Sequence, residues 1–316
     1  MARLGVDATS VAPDGKGIAR VQRHTVEALR ALGRHELVVF SRRFRPSLAW
    51  EQATPLVYRR HRLDAFLTWS ERLPLVGGGR YFVWLFEAPT HRIETNREIG
   101  AGAYQRVADL ATQLLWKRSL RRADVVFTGS DATRDAIPVP ARTLYPGLDP
   151  RFSPGPGRGG RYVFHIASRD PREDTDTALR AFAQIDAQVL VAGGWQGPRQ
   201  DRVEYLGRVS DVELVELYRG ATVYVDTSRY EGFGYQVLEA MACGVPVIAT
   251  GGTSIPEIVD EAGVLCAPNE LPQQLRRVLG DATLAADLRR RGLERAAQFT
   301  WERVAQTISD AVAVAA

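Results

Sequence analysis

Lysine is almost missing from this chain: of 41 basic residues only Lys16 and Lys117 are lysines, and the positive charge is carried by arginine. That argues against an enzyme that holds pyridoxal phosphate on a lysine Schiff base. Cysteine is as scarce, with Cys243 and Cys266 alone, which excludes a disulfide framework or a cysteine metal cluster and points to the reducing cytosol. No run of about 18 apolar residues occurs, so no transmembrane span is expected. The opening Met-Ala-Arg-Leu-Gly-Val-Asp passes directly into a strand, so no signal peptide is expected. No carboxylate or histidine cluster has ligand spacing, so no metal or other cofactor is required by the sequence. No helix-turn-helix, zinc or aromatic stacking motif accompanies the charge, which argues against a nucleic-acid partner.

What is present is a chain of 316 residues, 45% hydrophobic, long enough for two globular domains. Charge is divided unevenly. Residues 1–150 hold 23 Lys and Arg against 15 Asp and Glu, net +8, and residues 151–316 hold 18 against 22, net −4. A basic N-terminal half favours anionic membrane surfaces or acidic acceptors. Within it Trp116-Lys-Arg-Ser-Leu-Arg-Arg122 is either a cluster that lies on a headgroup layer or an ordinary solvated helix face. The expected location is therefore cytoplasmic, with the inner face of the membrane as a candidate position.

β-type runs alternate with helical ones along the whole chain, the pattern of parallel sheets covered by helices. Strands are expected at Leu4–Asp7, Leu37–Ser41, Ala65–Thr68, Tyr81–Phe86 and Val125–Thr128, with a helix over Ile18–Leu32. Asp149-Pro-Arg-Phe-Ser-Pro-Gly-Pro-Gly-Arg-Gly-Gly160 is dense in Pro and Gly and reads as a linker. Beyond it strands are expected at Tyr162–Ala167, Val189–Gly193, Glu204–Leu206, Thr222–Asp226, Val245–Thr250 and Val264–Leu265, with a helix over Thr177–Gln184. The expected domains are 1–150, 151–298 and a last helical segment, 299–316.

The most informative stretch is Ser228-Arg-Tyr-Glu-Gly-Phe-Gly-Tyr-Gln-Val-Leu-Glu-Ala-Met-Ala-Cys-Gly-Val-Pro-Val-Ile-Ala-Thr250. Gly232 and Gly234 permit a tight turn, Tyr235–Cys243 is apolar at helical spacing, and Gly244 with Pro246 ends the helix. Glu231 falls in the loop before this helix and Glu239 about one turn inside it. The helix N-terminus attracts a phosphate, and a carboxylate one turn further in can accept hydrogen bonds from sugar hydroxyls. A sugar nucleotide meets both demands. Either glutamate alone would serve as well for a turn or a solvated helix face; the pair in this glycine frame points to a ligand.

At these residues the chain resembles the retaining, nucleotide-sugar-dependent glycosyltransferases of family 4, whose hallmark is Glu, seven residues, Glu, here EGFGYQVLEAMACGVPVI. Leu144-Tyr-Pro-Gly-Leu-Asp-Pro-Arg-Phe152, Val203–Tyr218, Ile255–Gly263 and Phe299-Thr-Trp-Glu302 are similar to further segments of that family. The resemblance implies an α/β protein of GT-B type, two doubly wound, Rossmann-like domains facing across a cleft, with the final helix, Trp301–Val314, crossing back to the first. It implies a metal-independent hexosyltransferase. The donor would be a UDP- or GDP-sugar in the C-terminal domain, with Glu239 on the ribose, Glu231 on the donor sugar, and Gly232, Phe233, Gly234, Tyr235, Val237 and Leu238 around them. The acceptor would be a hydroxyl held by the basic N-terminal domain, a lipid-linked or polysaccharide intermediate being favoured over a soluble metabolite.

The loop Asp14-Gly-Lys-Gly17 is a second anion candidate, and by resemblance Gly17, with Lys16, meets the donor diphosphate. Arg169 matches the family's arginine on the leaving diphosphate. The lysine usual a few residues later is missing: Glu173 or Asp174 stands in its place, with Arg172 the nearby cation. Asp174-Thr-Asp176 resembles the Asp-x-Asp of metal-dependent transferases, but the pair precedes a helix and reads as N-cap and first turn. In the first domain the family's histidine position is held by Phe86-Glu87, with His91 several residues late, so Glu87 and His91 are the candidates there. These departures would equally suit a sugar-nucleotide-binding or regulatory subunit that has lost transfer.

Overall fold

The computed structural model describes residues 1–11, 17–41, 47–98, 102–159 and 161–315. The chain divides into two compact units, Met1–Gly147 with Thr300–Ala316, and Leu148–Phe299. Lys16 lies outside the described residues.

The first unit runs β1 (Arg3–Asp7), α1 (Ile18–Leu32), β2 (Glu36–Phe40), α2 (Ser47–Arg60), β3 (Ala65–Thr68), β4 (Tyr81–Leu85), α3 (Pro89–Glu98), α4 (Ala103–Leu120), β5 (Val125–Thr128), α5 (Asp131–Asp135) and β6 (Arg142–Thr143). Among the described residues these strands form one six-stranded sheet of order β2-β1-β3-β4-β5-β6, with every recorded pair parallel. Strand β4, Tyr-Phe-Val-Trp-Leu, is buried along its whole length, as a central parallel strand covered on both faces must be. The last helix of the chain, α12 (Trp301–Ala315), belongs to this unit and packs on α1, where Trp301 stacks on His24 at 5.2 Å.

The second unit runs β7 (Tyr162–Ala167), α6 (Thr175–Phe182), β8 (Gln188–Gly193), β9 (Val203–Gly207), α7 (Asp211–Gly220), β10 (Val223–Asp226), α8 (Tyr235–Ala242), β11 (Val247–Ala249), α9 (Ile255–Val259), β12 (Val264–Leu265), α10 (Leu271–Gly280) and α11 (Ala282–Ala296). Its sheet has the order β12-β11-β10-β7-β8-β9, again parallel throughout. Val163, Val191, Val225 and Ile248 on its strands and Leu179, Phe182, Leu271 and Leu275 on its helices fill one core. In a second group Tyr218 meets Phe164 and Tyr224 edge to face, with centroids 5.3 Å apart in both pairs. Such pairs each add about 1 kcal/mol beyond their buried area.

The strand order reverses between β7 and β10. From β7 the chain moves outward through β8 and β9, then returns to β10 and proceeds the other way. In an open parallel sheet this reversal leaves a crevice at the carboxyl ends of the two strands, because their following loops diverge. The loops after β7 and β10 are therefore where this unit can hold a ligand.

Candidate functional site

The loop after β10 carries Glu231 to Gly234 and enters α8. Gly234 takes φ 96° and ψ 48°, a left-handed conformation, and a methyl there would lie 2.7 Å from Ile255 Cδ1. The residue before α8 is Gly234, which has no side chain to cap the helix, and a helix N-terminus favours an anion. Phe233 is buried against the rings of Tyr235 at 4.9 Å and Phe299 at 5.8 Å, which fixes the turn from below. Val237 and Leu238 are fully buried in the core side of the helix.

Glu231 is positioned through its backbone. Its N–H donates to Thr253 Oγ1 at 2.8 Å, and its carbonyl accepts from Thr253 Oγ1 at 2.7 Å and Ser254 Oγ at 2.8 Å. Gly252 makes this clasp close, since a methyl there would stand 2.2 Å from the Arg229 carbonyl oxygen. Glu239, the fifth residue of α8, is buried at 3% exposure. A carboxylate taken that far from water requires donors around it. Tyr224 ties β10 to the same helix, donating to Gln236 Oε1 at 2.6 Å.

The loop after β7 carries the cations. Arg169 is exposed at the end of the strand. Arg172 is not a loose charge: its guanidinium forks onto Asp170, with nitrogen to oxygen distances of 2.7 to 3.1 Å, and lies over the Tyr230 ring at 5.9 Å. Burial pushes the Asp170 carboxyl up, but the Arg172 hydrogen bonds and charge outweigh it and hold it below the usual range.

Glu173 stands beside this pair. Burial, then the charges of Asp226 and Asp170, push its carboxyl up to about 7, against a Ser168 hydrogen bond and the Arg172 charge. Asp226, at the end of β10, is itself pushed up by burial, opposed by hydrogen bonds from Ser228. The loop after β7 is bound to the one after β10 by Thr227 Oγ1 donating to the Glu173 carbonyl at 2.9 Å and Arg229 N–H to the Arg172 carbonyl at 2.7 Å. Arg169, Arg172, Glu173, Glu231 and the start of α8 thus sit on two loops joined at the switch point.

Asp174 stands at the N-cap of α6 and Asp176 in its first turn, as expected, but the Asp174 side chain does not supply the cap. The residue precedes α6 with φ 44° and ψ 45°, and its side chain caps no backbone; it accepts from Thr177 Oγ1 at 3.0 Å. Just before it Asp170 caps a separate 3-10 turn over Pro171–Glu173, accepting from the Arg172 N–H at 3.0 Å. Among the described residues no group of three His, Cys, Asp or Glu comes together to hold a metal ion.

The first-unit candidates are placed separately. Gly17 precedes α1 with φ 58° and ψ −125°, and its carbonyl accepts from the Arg20 and Val21 N–H groups, so the left-handed backbone alone calls for glycine. Glu87 lies in the short loop after β4. His91 is in the first turn of α3, with Nδ1 3.5 Å from the Glu94 carboxylate. Sequence reasoning missed Asp170, Tyr230, Thr253 and Ser254. The last two follow β11, the next strand along the sheet, which was the available signal.

The chain is similar to several known proteins. Residues 160–281 match the family described as Glycosyl transferases group 1. The chain is 34% identical over 170 residues to O-antigen chain mannosyltransferase B of Escherichia coli, covering 47% of this chain and 45% of that protein. It is 32% identical over 217 residues to D-inositol 3-phosphate glycosyltransferase of Saccharomonospora viridis, covering 56% and 50%. The chain therefore spans about half the length of these curated relatives. Among solved structures it is similar to sucrose-phosphate synthase from Thermosynechococcus elongatus (TM-score 0.77, 21% identity, 98% of each chain). It is also similar to Anabaena HepE in complex with UDP and glucose (TM-score 0.71, 17% identity, 99% of each chain). The fold is thus the GT-B type, two Rossmann-like units. The second unit is thus similar to the glycosyltransferases of group 1, over residues 160–281.

Proposed function

We propose that this chain transfers a hexose from a nucleoside diphosphate donor, UDP- or GDP-linked, to an acceptor hydroxyl with retention of anomeric configuration. The observation that carries the reading is the placement of Glu231, the glycine-led start of α8 and Arg169 on two bonded loops at the β7/β10 reversal. Breaking the sugar–phosphate bond develops negative charge on the diphosphate. The α8 N-terminus and Arg169 oppose that charge, while Glu231 orients the sugar and Glu239 the ribose. The leaving phosphate, on the same face as the attacking hydroxyl, takes the acceptor proton. The names of the relatives, a mannosyltransferase and an inositol-phosphate glycosyltransferase, support hexosyl transfer to a hydroxyl. A lipid-linked or polysaccharide acceptor, met by a peripheral protein at the inner membrane face, is the form of the reaction that the basic first half favours.

A second reading, a binding subunit without transfer, draws on Arg172: its charge is already answered by Asp170, and Glu173 stands where the resembling family has a lysine. Incubation with UDP- and GDP-hexoses, following release of the nucleoside diphosphate, separates the two. Slow donor hydrolysis that quickens with acceptor and is lost in Glu231→Ala supports transfer. Saturable donor binding with no release from any donor contradicts it.

A further inference from the structure

Most of the large apolar side chains left exposed on the described surface are gathered in one part of the first unit. On α4, Val107, Leu110 and Leu114 are 62%, 56% and 71% exposed, and their spacing of three and four residues puts them on one helical face. The segment leading to β4 adds Leu75 and Val76, 53% and 78% exposed, and α2 adds Leu56 at 70%. These three pieces are fastened together. Leu73 N–H donates to Ser119 Oγ, and Arg122 near the end of α4 donates to the Pro74 and Gly77 carbonyls. Leu75 N–H donates to Gln52 Oε1 of α2 at 2.8 Å, and Gly77 packs so closely on Pro55 that a methyl there would lie 2.7 Å from its Cβ.

The same helix face carries Arg106, Lys117, Arg118 and Arg121, all exposed. The one acidic residue of α4, Asp109, is buried and accepts from Gln105 at 2.9 Å. Exposed apolar side chains rimmed by cations, with no exposed carboxylate on the helix, complement a bilayer whose headgroups are anionic and whose interior begins a few ångströms below. Within the Trp116–Arg122 cluster, the structure divides the roles: Trp116, Ser119 and Leu120 face the core, and Arg122 holds the Leu75–Val76 segment. The apolar contact comes from residues outside that cluster.

We propose that this face, the exposed side of α4 with the Leu75–Val76 tip, docks on anionic lipid bilayers. The inference deepens the membrane-side acceptor reading and rests on it only for purpose, because docking needs no donor and no turnover. The test is co-sedimentation of the 316-residue chain with phosphatidylcholine vesicles made with and without phosphatidylglycerol, in the absence of any nucleotide. The chain is expected to sediment with the phosphatidylglycerol vesicles and to be released as salt is raised. Leu110→Glu with Leu114→Glu should lower binding roughly tenfold or more. Lys117→Gln with Arg118→Gln should lower it roughly 25-fold, since each cation near an anionic surface contributes about fivefold. Val212→Glu, at an exposed valine of α7, is the control that leaves binding unchanged. Circular dichroism and melting confirm that the variants fold.

No sedimentation of the parent chain, or equal sedimentation of parent and both double variants, overturns the proposal. Self-association of the parent that the leucine variant abolishes, without vesicle binding, assigns the face to a second copy and overturns it too. Transfer without sedimentation overturns the docking surface alone; sedimentation without nucleotide binding overturns the donor reading alone.

Discussion

Glu239→Ala is expected to weaken binding of a nucleoside diphosphate sugar roughly 10²-fold or more while the chain remains folded. Glu239 is buried within α8, beneath the turn that carries Glu231. In the proposed site its two oxygens accept from the ribose hydroxyls. Hydrogen bonds to a charged acceptor contribute about 1.5 to 3 kcal/mol each, and a site built for a hydroxyl pair loses both at once. Glu239→Gln keeps the shape and one carbonyl acceptor, so its loss should be smaller, roughly tenfold. Calorimetric titration reads both. An alanine variant that melts normally and binds as the parent does would remove Glu239 from the site.

The second large effect is pH dependence from Glu173. Its carboxyl titrates near 7 rather than 4.5, because burial and the neighbouring Asp226 and Asp170 penalise its charge. The folded chain thus holds this proton more tightly than the unfolded chain. Stability from that difference is complete at pH values below 4.5, declines as pH rises, and is gone above about 7. Relative to Glu173→Gln, the parent should lose up to ~3 kcal/mol between those limits. Donor affinity should follow the same sign, since an ionised Glu173 repels a diphosphate held on the adjoining loop. A nucleotide sugar carries a diphosphate diester with no titration near neutrality, so the ligand does not confound the profile. Parent affinity should fall between pH 6 and pH 8 and that of Glu173→Gln should stay level; parallel profiles would show that Glu173 does not face the donor.

This residue also shows how far the sequence could be read. That Glu173 or Asp174 replaces a lysine was visible in the chain, and so was the separation of Glu231 from Glu239. Parallel sheets were legible because buried strands such as Tyr81–Leu85 are continuous apolar runs and Tyr162–Ala167 is one but for His165, and α1 was legible to the residue because Gly17 and Gly33 bracket its periodic stretch. The hidden part was tertiary. Nothing in Arg-Asp-Pro-Arg-Glu-Asp states that Asp170 takes the Arg172 fork, because the partner two residues away is selected by the 3-10 turn. Nor does the spacing between Glu231 and Thr253 reveal their clasp, which the pairing of β10 with β11 creates by placing successive loops side by side. The docking face was partly legible as charge; its leucines were not, since exposure of an apolar helical residue depends on what packs against it.

The most direct test of the donor site is a crystal structure of this chain with a nucleoside diphosphate hexose. The diphosphate is expected over the first turn of α8 beside Arg169, with the ribose hydroxyls on Glu239 and the hexose at Glu231. A nucleotide bound away from the β7/β10 reversal, with Glu239 untouched, would contradict that placement.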